Sequence, residues 1–316
     1  MMPLHLAFLG CGFATQLHSK TLANFKREVR CYYASRHREK AVIFNNQYKG
    51  SGYFDSYDAA INHPAAEIVF VATPPVSHLE LTLQALRAGK NVIVEKPPFL
   101  RSADFEVIRQ AQKETGRRVF VAENYFYKPL AFELRELIQK DSIGEILFVH
   151  VNALKLQTTA NWRDDTALSG GGALFEGGIH WINFAANLGL PVKTMRGWRP
   201  GQRDSIDRSM LVAIEYETGA VGTLSYSWET PVLLKGLHLS QIYGRQGVIT
   251  FESNGLFILV NGIKKKLVFP GLGDLAGYKE MFRDFFRALR TGQEPQMNLG
   301  MAQKDLQLIE AIYQSV

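Results

Sequence analysis

Cysteine is scarce in the 316-residue chain: Cys11 and Cys31 are the only two, enough for a single disulfide. That excludes a disulfide-stapled secreted scaffold and fits a reducing compartment. No window approaches about 20 uninterrupted apolar residues, so no transmembrane helix is expected. The apolar opening at 4–9 is short and has no basic region before it, which argues against a secretory leader and against a lipoprotein reading of Cys11. A cytoplasmic protein is expected. Concentrated charge is also missing. The net charge is +6, and the densest basic runs are Arg36-His37-Arg38 and Lys264-Lys265-Lys266. A nucleic-acid binder needs a denser stripe, so neither nucleic acid nor membrane is expected as a partner. No repeat, low-complexity stretch, Cys cluster or H-E-x-x-H spacing is found, and no metal site is expected.

What remains is an ordinary globular composition, 46% apolar and 21% charged, of a length that suggests about two domains. Through the first third, apolar runs at 4–9, 29–34, 68–72, 92–94 and 119–122 alternate with helical patterns at 14–26, 39–46, 78–88 and 103–115. Strand–helix alternation of this kind predicts βαβ units in a parallel, doubly wound sheet. After Asn124 the pattern changes. A helix at 131–140 and a long strand at 145–156 precede strands at hairpin spacing at 209–216, 220–228, 237–243, 248–251, 256–260 and 266–269. Helices at 278–290 and 302–313 close the chain. The predicted fold is α/β: a dinucleotide-binding domain over 1–123, then an α+β domain over 124–316 with an antiparallel or mixed sheet. The last helix is free to pack back on the first domain.

Gly10-Cys11-Gly12-Phe13-Ala14-Thr15 follows the first strand and opens a helix. A G-x-G turn there lets backbone amides meet a pyrophosphate at the helix N-terminus, although Thr15 occupies the third fingerprint position. Gly10, Gly12, Phe13 and Ala14 are therefore candidate cofactor contacts. The second strand ends in Ala34-Ser35-Arg36-His37-Arg38, without the acid that an NAD site uses on the ribose hydroxyl. Ser35, Arg36 and Arg38 suit a 2′-phosphate instead, so NADP(H) is read over NAD(H). Thr73, Pro74 and His78 lie at the carboxyl edge of one buried strand, and Glu95-Lys96-Pro97 at the edge of the next. Asn124, at the domain junction, completes the candidate cofactor set.

Gly170-Gly171-Gly172-Ala173-Leu174-Phe175-Glu176-Gly177-Gly178-Ile179-His180 holds five glycines in nine positions before Ile179. Such a run is costly in a helix and tolerable where the backbone must approach another body, here read as the dinucleotide. Glu176 and His180, four apart, project from one helical face and can form a proton relay. Tyr125, Tyr127, Lys128, Trp162, Arg163 and Asn183 are candidate pocket residues.

Together, the Gly10–Gly12 loop, Thr73-Pro74 with His78, Glu95-Lys96-Pro97 and Trp162-Arg163 leading into Gly170–His180 resemble the Gfo/Idh/MocA family, the glucose–fructose oxidoreductase and inositol dehydrogenase group. The closing Asp305-Leu306…Tyr313-Gln314-Ser315 helix is similar too. The resemblance implies a Rossmann domain plus an α/β domain whose open sheet mediates a homodimer or homotetramer. It also implies hydride transfer between a nicotinamide and a sugar, polyol or related carbonyl compound. Lys96 and His180 would handle the proton at the reacting oxygen, with Glu176 in the place of the family's usual Asp. Asn183 stands where an Asp commonly follows the His. Alternatives on the same scaffold are an NAD-dependent glycosidase, a nicotinamide- or sugar-sensing regulator, and a reductase of imines or bilins. Retention of Lys96 and His180 speaks against the regulator.

Overall fold

The computed structural model describes residues 2–159, 163, 165–201, 206–232 and 237–316. Six strands, β1 (Leu4–Leu9), β2 (Val29–Ala34), β3 (Gly52–Phe54), β4 (Ile68–Val71), β5 (Asn91–Val94) and β6 (Val119–Val121), form one parallel sheet. Their order is β3-β2-β1-β4-β5-β6, the dinucleotide-binding order in which connections reverse direction between β1 and β4. Ile68, Val69, Phe70 and Val71 are all fully buried, as an apolar run covered by helices on both faces must be. Leu9 stands level with Ala34 on one side and Val71 on the other. The loops after β1, β2 and β4 therefore leave the sheet together at the switch point, where ligands of such sheets bind. Two elements escape the periodicity reading, β3 and the helix Tyr57–Ile61. Three and five residues are too few to carry a period.

The second sheet has eight strands: β7 (Ile146–Leu154), β8 (Val192–Trp198), β9 (Ser209–Tyr216), β10 (Val221–Ser227), β11 (Leu239–Gly244), β12 (Gly247–Glu252), β13 (Ile258–Asn261) and β14 (Lys265–Val268). They run in the order β14-β13-β12-β11-β7-β10-β9-β8. Only β7 and β10 pair in parallel; every other ladder is antiparallel. Strand β8 adds to the predicted set; its sequence, VKTMRGW, offers few buried positions from which to read alternation. One face of the sheet is buried, with Val149, Val212, Leu224, Ile242, Ile249 and Ile258 each wholly or almost wholly covered. The opposite face is open and mixed: Trp198, Leu211, Val221, Phe148, Leu259 and Leu267 are exposed on it, beside exposed His150, Arg196, Glu215 and Lys265.

Backbone contacts divide the chain into two units, one of residues 1–122 and 281–303, the other of 123–280 and 304–316. The second unit is thus discontinuous, where the sequence suggested one uninterrupted segment. The changeovers fall inside the helices Tyr278–Thr291 and Leu299–Gln314. In the first unit Phe282, Phe285 and Phe286 of the former helix are buried, with Phe282 packed near His18 and Phe70 and Phe285 near Phe120.

Candidate functional site

In the first unit, the β1 loop explains its own glycines. Gly10 has a φ of +104°, and a Cβ there would lie 2.6 Å from the Ala72 carbonyl oxygen. No L side chain fits. Gly12, the residue before the helix Phe13–Leu22, differs: a Cβ would meet nothing within 4 Å. Protein packing does not demand glycine there, and the open space at the helix N-terminus would admit a pyrophosphate. The site therefore fits a dinucleotide. Thr15, in place of the third glycine, folds its hydroxyl inward and donates to the Gly10 carbonyl at 2.6 Å. Phe13 is 66% exposed beside it. After β2, Ser35 is buried and accepts from the His37 amide at 3.1 Å. Arg36 and Arg38 are exposed, with Arg38 donating to the Tyr53 hydroxyl at 3.2 Å.

Lys96 is held by its neighbours. Glu95 accepts from the Lys96 amide at 3.0 Å through one oxygen and contacts buried His18 through the other. The Lys96-Pro97 peptide is cis. His78, read as a cofactor contact, is instead buried as an internal staple: Nδ1 lies 2.9 Å from the Pro97 carbonyl and Nε2 2.8 Å from that of Thr73. A neutral imidazole carries one N–H and serves one of these carbonyls at a time. Burial holds its pKa below the usual histidine value, against the pull of both carbonyls and Glu95. Thr73 Oγ1 and Ser77 Oγ lie 2.7 Å apart, and Ser77 donates to Pro74 O at 2.9 Å.

In the second unit, the acid that meets His180 is Glu123. Its carboxylate lies 2.6 Å from His180 Nδ1 and also accepts from the Tyr125 amide at 2.9 Å. The Tyr125 ring stacks on the imidazole, with centroids 4.4 Å apart and planes at 13°. Glu123 is 2% exposed. A carboxylate on Nδ1 fixes the tautomer with hydrogen there and leaves Nε2 basic. Glu176 sits four residues before His180, but in a π-helical turn, Leu174–Gly178, and accepts from Arg163 Nε at 3.3 Å. The relay that i,i+4 spacing suggested is therefore replaced by a pairing 57 residues apart in sequence.

The glycine run also receives a different reason. A Cβ on Gly172 would stand 1.9 Å from an Asp207 carboxylate oxygen, and one on Gly177 2.2 Å from the Tyr226 hydroxyl. The bodies approached are side chains of this unit. Asp207 is buried, accepts from the Leu174 amide at 2.9 Å and from the Tyr313 hydroxyl at 2.7 Å, and so caps the helix that carries His180. Gly172→Ala is expected to lower the unfolding free energy by about 1–3 kcal/mol through this overpacking. An unchanged urea midpoint would show that packing is not what the glycine serves.

Several predicted pocket residues lie in the core. Tyr127 is fully buried, edge-on to Phe126. Asn183 is fully buried and donates to Asp305 at 2.6 Å. Burial pushes Asp305 well above the usual carboxylate range, so an Asp at 183 would set a second carboxylate against it, and an amide avoids that repulsion. Asn124 spends its amide on the Ala276 carbonyl at 2.6 Å. Trp162 lies outside the described residues. Tyr125 keeps its place beside His180.

Glu123 was missed, whereas Lys128, read as a candidate pocket residue, lies in the core. An acid directly after the buried run Val119-Phe120-Val121, at the same kind of strand end as Gly10 and Glu95, was the available signal for Glu123. Lys128 is 3% exposed, with Nζ 3.2 Å from the Ser253 carbonyl and 4.4 Å from the Tyr125 ring centroid. Burial pulls its pKa down to about 8, with Glu252 opposing. Among the described residues no group of three or more His, Cys, Asp or Glu could hold a metal, and no helix is long and apolar enough to cross a membrane.

Residues 4–123 match the oxidoreductase family with an NAD-binding Rossmann fold, GFO/IDH/MocA, and residues 132–250 match the GFO/IDH/MocA C-terminal domain. Oxidoreductase P35 of Formosa agariphila is 28% identical over 189 residues, covering 57% of this chain and 59% of that protein. Levoglucosan dehydrogenase of Pseudarthrobacter phenanthrenivorans is 24% identical over 293 residues, 81% of this chain and 72% of its own. A solved levoglucosan dehydrogenase in complex with NADH has the same fold, with a TM-score of 0.86 at 22% identity over 99% of this chain and 96% of that one.

Proposed function

The chain belongs to the GFO/IDH/MocA family of NAD(P)-dependent oxidoreductases, and on that premise we propose that it transfers hydride between NADP(H) and a sugar, polyol or related cyclic hydroxy or keto compound. The observation that carries this reading is His180, with Nδ1 on buried Glu123 and Nε2 left to exchange a proton. The relative named for levoglucosan supports the sugar-like substrate class. Gly10, Gly12, Phe13 and Ala14 would hold the pyrophosphate, and Ser35, Arg36 and Arg38 the ribose phosphate. Bound nicotinamide supplies or accepts the hydride at its ring.

The chain's own residues then manage charge and proton. Removing hydride from a carbinol requires its hydroxyl proton to leave, and adding hydride to a carbonyl leaves charge on oxygen. His180 Nε2 takes or returns that proton, and the Glu123 carboxylate stabilises the imidazolium that forms. The Lys96 ammonium stabilises the oxygen as charge develops. Tyr125 and Arg163, the latter paired with Glu176, are proposed to orient the substrate. The exposed apolar side chains on the open face of the second sheet support self-association into a dimer or tetramer, and two free cysteines support a reducing, cytoplasmic setting.

Turnover across sugars, polyols and cyclic ketones with each cofactor tests this reading. Net change in reduced-nicotinamide absorbance, matched to product, is expected; a cofactor that stays bound without net redox change would count against it. The preference for NADP(H) rests on the exposed Arg36 and the lack of an acid from Ala34 to Arg38. Arg36→Ala is expected to raise the NADPH dissociation constant about 10- to 100-fold, the worth of one charged hydrogen-bond set, and to leave NADH within about twofold. Equal effects on both cofactors would remove the 2′-phosphate from the account.

A further inference from the structure

Lys128 has no part in the chemistry above, yet it is among the most deeply buried cations of the described residues. Its ammonium lies 4.4 Å from the Tyr125 ring centroid and 5.7 Å from that of Trp181, and donates to the Ser253 carbonyl at 3.2 Å. Glu252, fully buried on the same segment, accepts through Oε2 from the Asn254 and Leu256 backbone amides at 3.0 and 3.2 Å and through Oε1 from the Asn254 side-chain amide at 2.9 Å. Burying an ammonium is costly, and a Met or Leu would fill the space without that cost. A desolvated cation is, however, held strongly by an aromatic face. The same Tyr125 ring stacks on His180 at 13°, while Trp181 meets it edge-on at 5.1 Å.

We propose that Lys128 is a positioning residue that fixes the Tyr125 ring in the stack that orients His180. Residues 123–128 then supply three supports for one imidazole: the Glu123 carboxylate at Nδ1, the Tyr125 ring at its face and the Lys128 ammonium at Tyr125. The inference rests on the proposed role of His180, and its structural half is open to a separate measurement.

That measurement is the carbon–proton spectrum of the histidine rings in the intact protein, with His180 assigned by its loss in His180→Gln. Stacking on Tyr125 shields the His180 ring protons. In Lys128→Met they are expected to move downfield, and in Lys128→Arg to stay near their original positions. Lys128→Gln serves if Lys128→Met does not fold, with a cooperative thermal transition as the criterion. With a turned-over substrate, the same variant should lose about 10²-fold in kcat, the cost of a misplaced catalytic group, at little change in nicotinamide binding. Unmoved His180 signals in a folded Lys128→Met or Lys128→Gln protein would overturn the proposal. Full turnover by His180→Gln would instead overturn the catalytic reading, and the ring shift would still decide what Lys128 holds.

Discussion

Lys96→Ala is expected to lower kcat by about 10²–10³-fold, the effect of removing one donor aimed at a developing oxyanion. Nicotinamide binding, followed by quenching of fluorescence, should change little, because the phosphates and ribose are assigned to Gly10–Gly12 and Ser35–Arg38. The size of the effect follows from how the lysine is mounted. Its amide is bonded to the Glu95 carboxylate, that carboxylate contacts His18, and the Pro97 carbonyl meets His78. A side chain on such a turn begins from few conformations, so little ordering remains to be done when charge appears on the substrate. Lys96→Arg keeps the charge but spreads it over a planar fork, and is expected to recover only part of the loss. Normal turnover in Lys96→Ala would remove this residue from the chemistry.

Glu123→Gln should cost about 10³-fold in kcat. An amide in its place can present a donor to Nδ1, which favours the wrong tautomer, and it no longer stabilises an imidazolium. Desolvation magnifies the second effect, because Glu123 is 2% exposed and little water competes with it. Glu176→Gln is the matched comparison. Its carboxylate pairs with Arg163, so its loss is expected to raise KM more than it lowers kcat. A larger fall in kcat for Glu176→Gln than for Glu123→Gln would restore the i,i+4 relay that the spacing suggests.

The strand framework was legible because each buried strand of the parallel sheet is a continuous apolar run, and the loops at its carboxyl edge could be placed by position alone. Lys96, Gly10 and Gly12 were singled out this way, and His180 by its glycine-rich segment. Partnership was not legible. Glu123 and His180 are 57 residues apart, and nothing local in either segment names the other. The nearer acid, Glu176, fitted a helical template that the π turn does not follow. Glycines drew the eye to a ligand at 170–178, where Asp207 and Tyr226 of the same unit are what they accommodate. Tyr127 and Asn183 look like pocket residues by type, but both are wholly buried, and burial is set by packing the chain cannot display in one dimension. Lys128, read with them as a pocket residue, is buried as well.

The central claim is net hydride transfer, and isotope transfer tests it most directly. With a substrate identified, the reaction is run in the reducing direction with cofactor deuterated at the transferring position of nicotinamide C4, and the product is weighed by mass spectrometry. The account predicts one deuterium on the former carbonyl carbon for each cofactor oxidised, formed far more slowly in His180→Ala and Lys96→Ala. Product formed without deuterium, while the cofactor remains bound and unchanged in redox state, would contradict it.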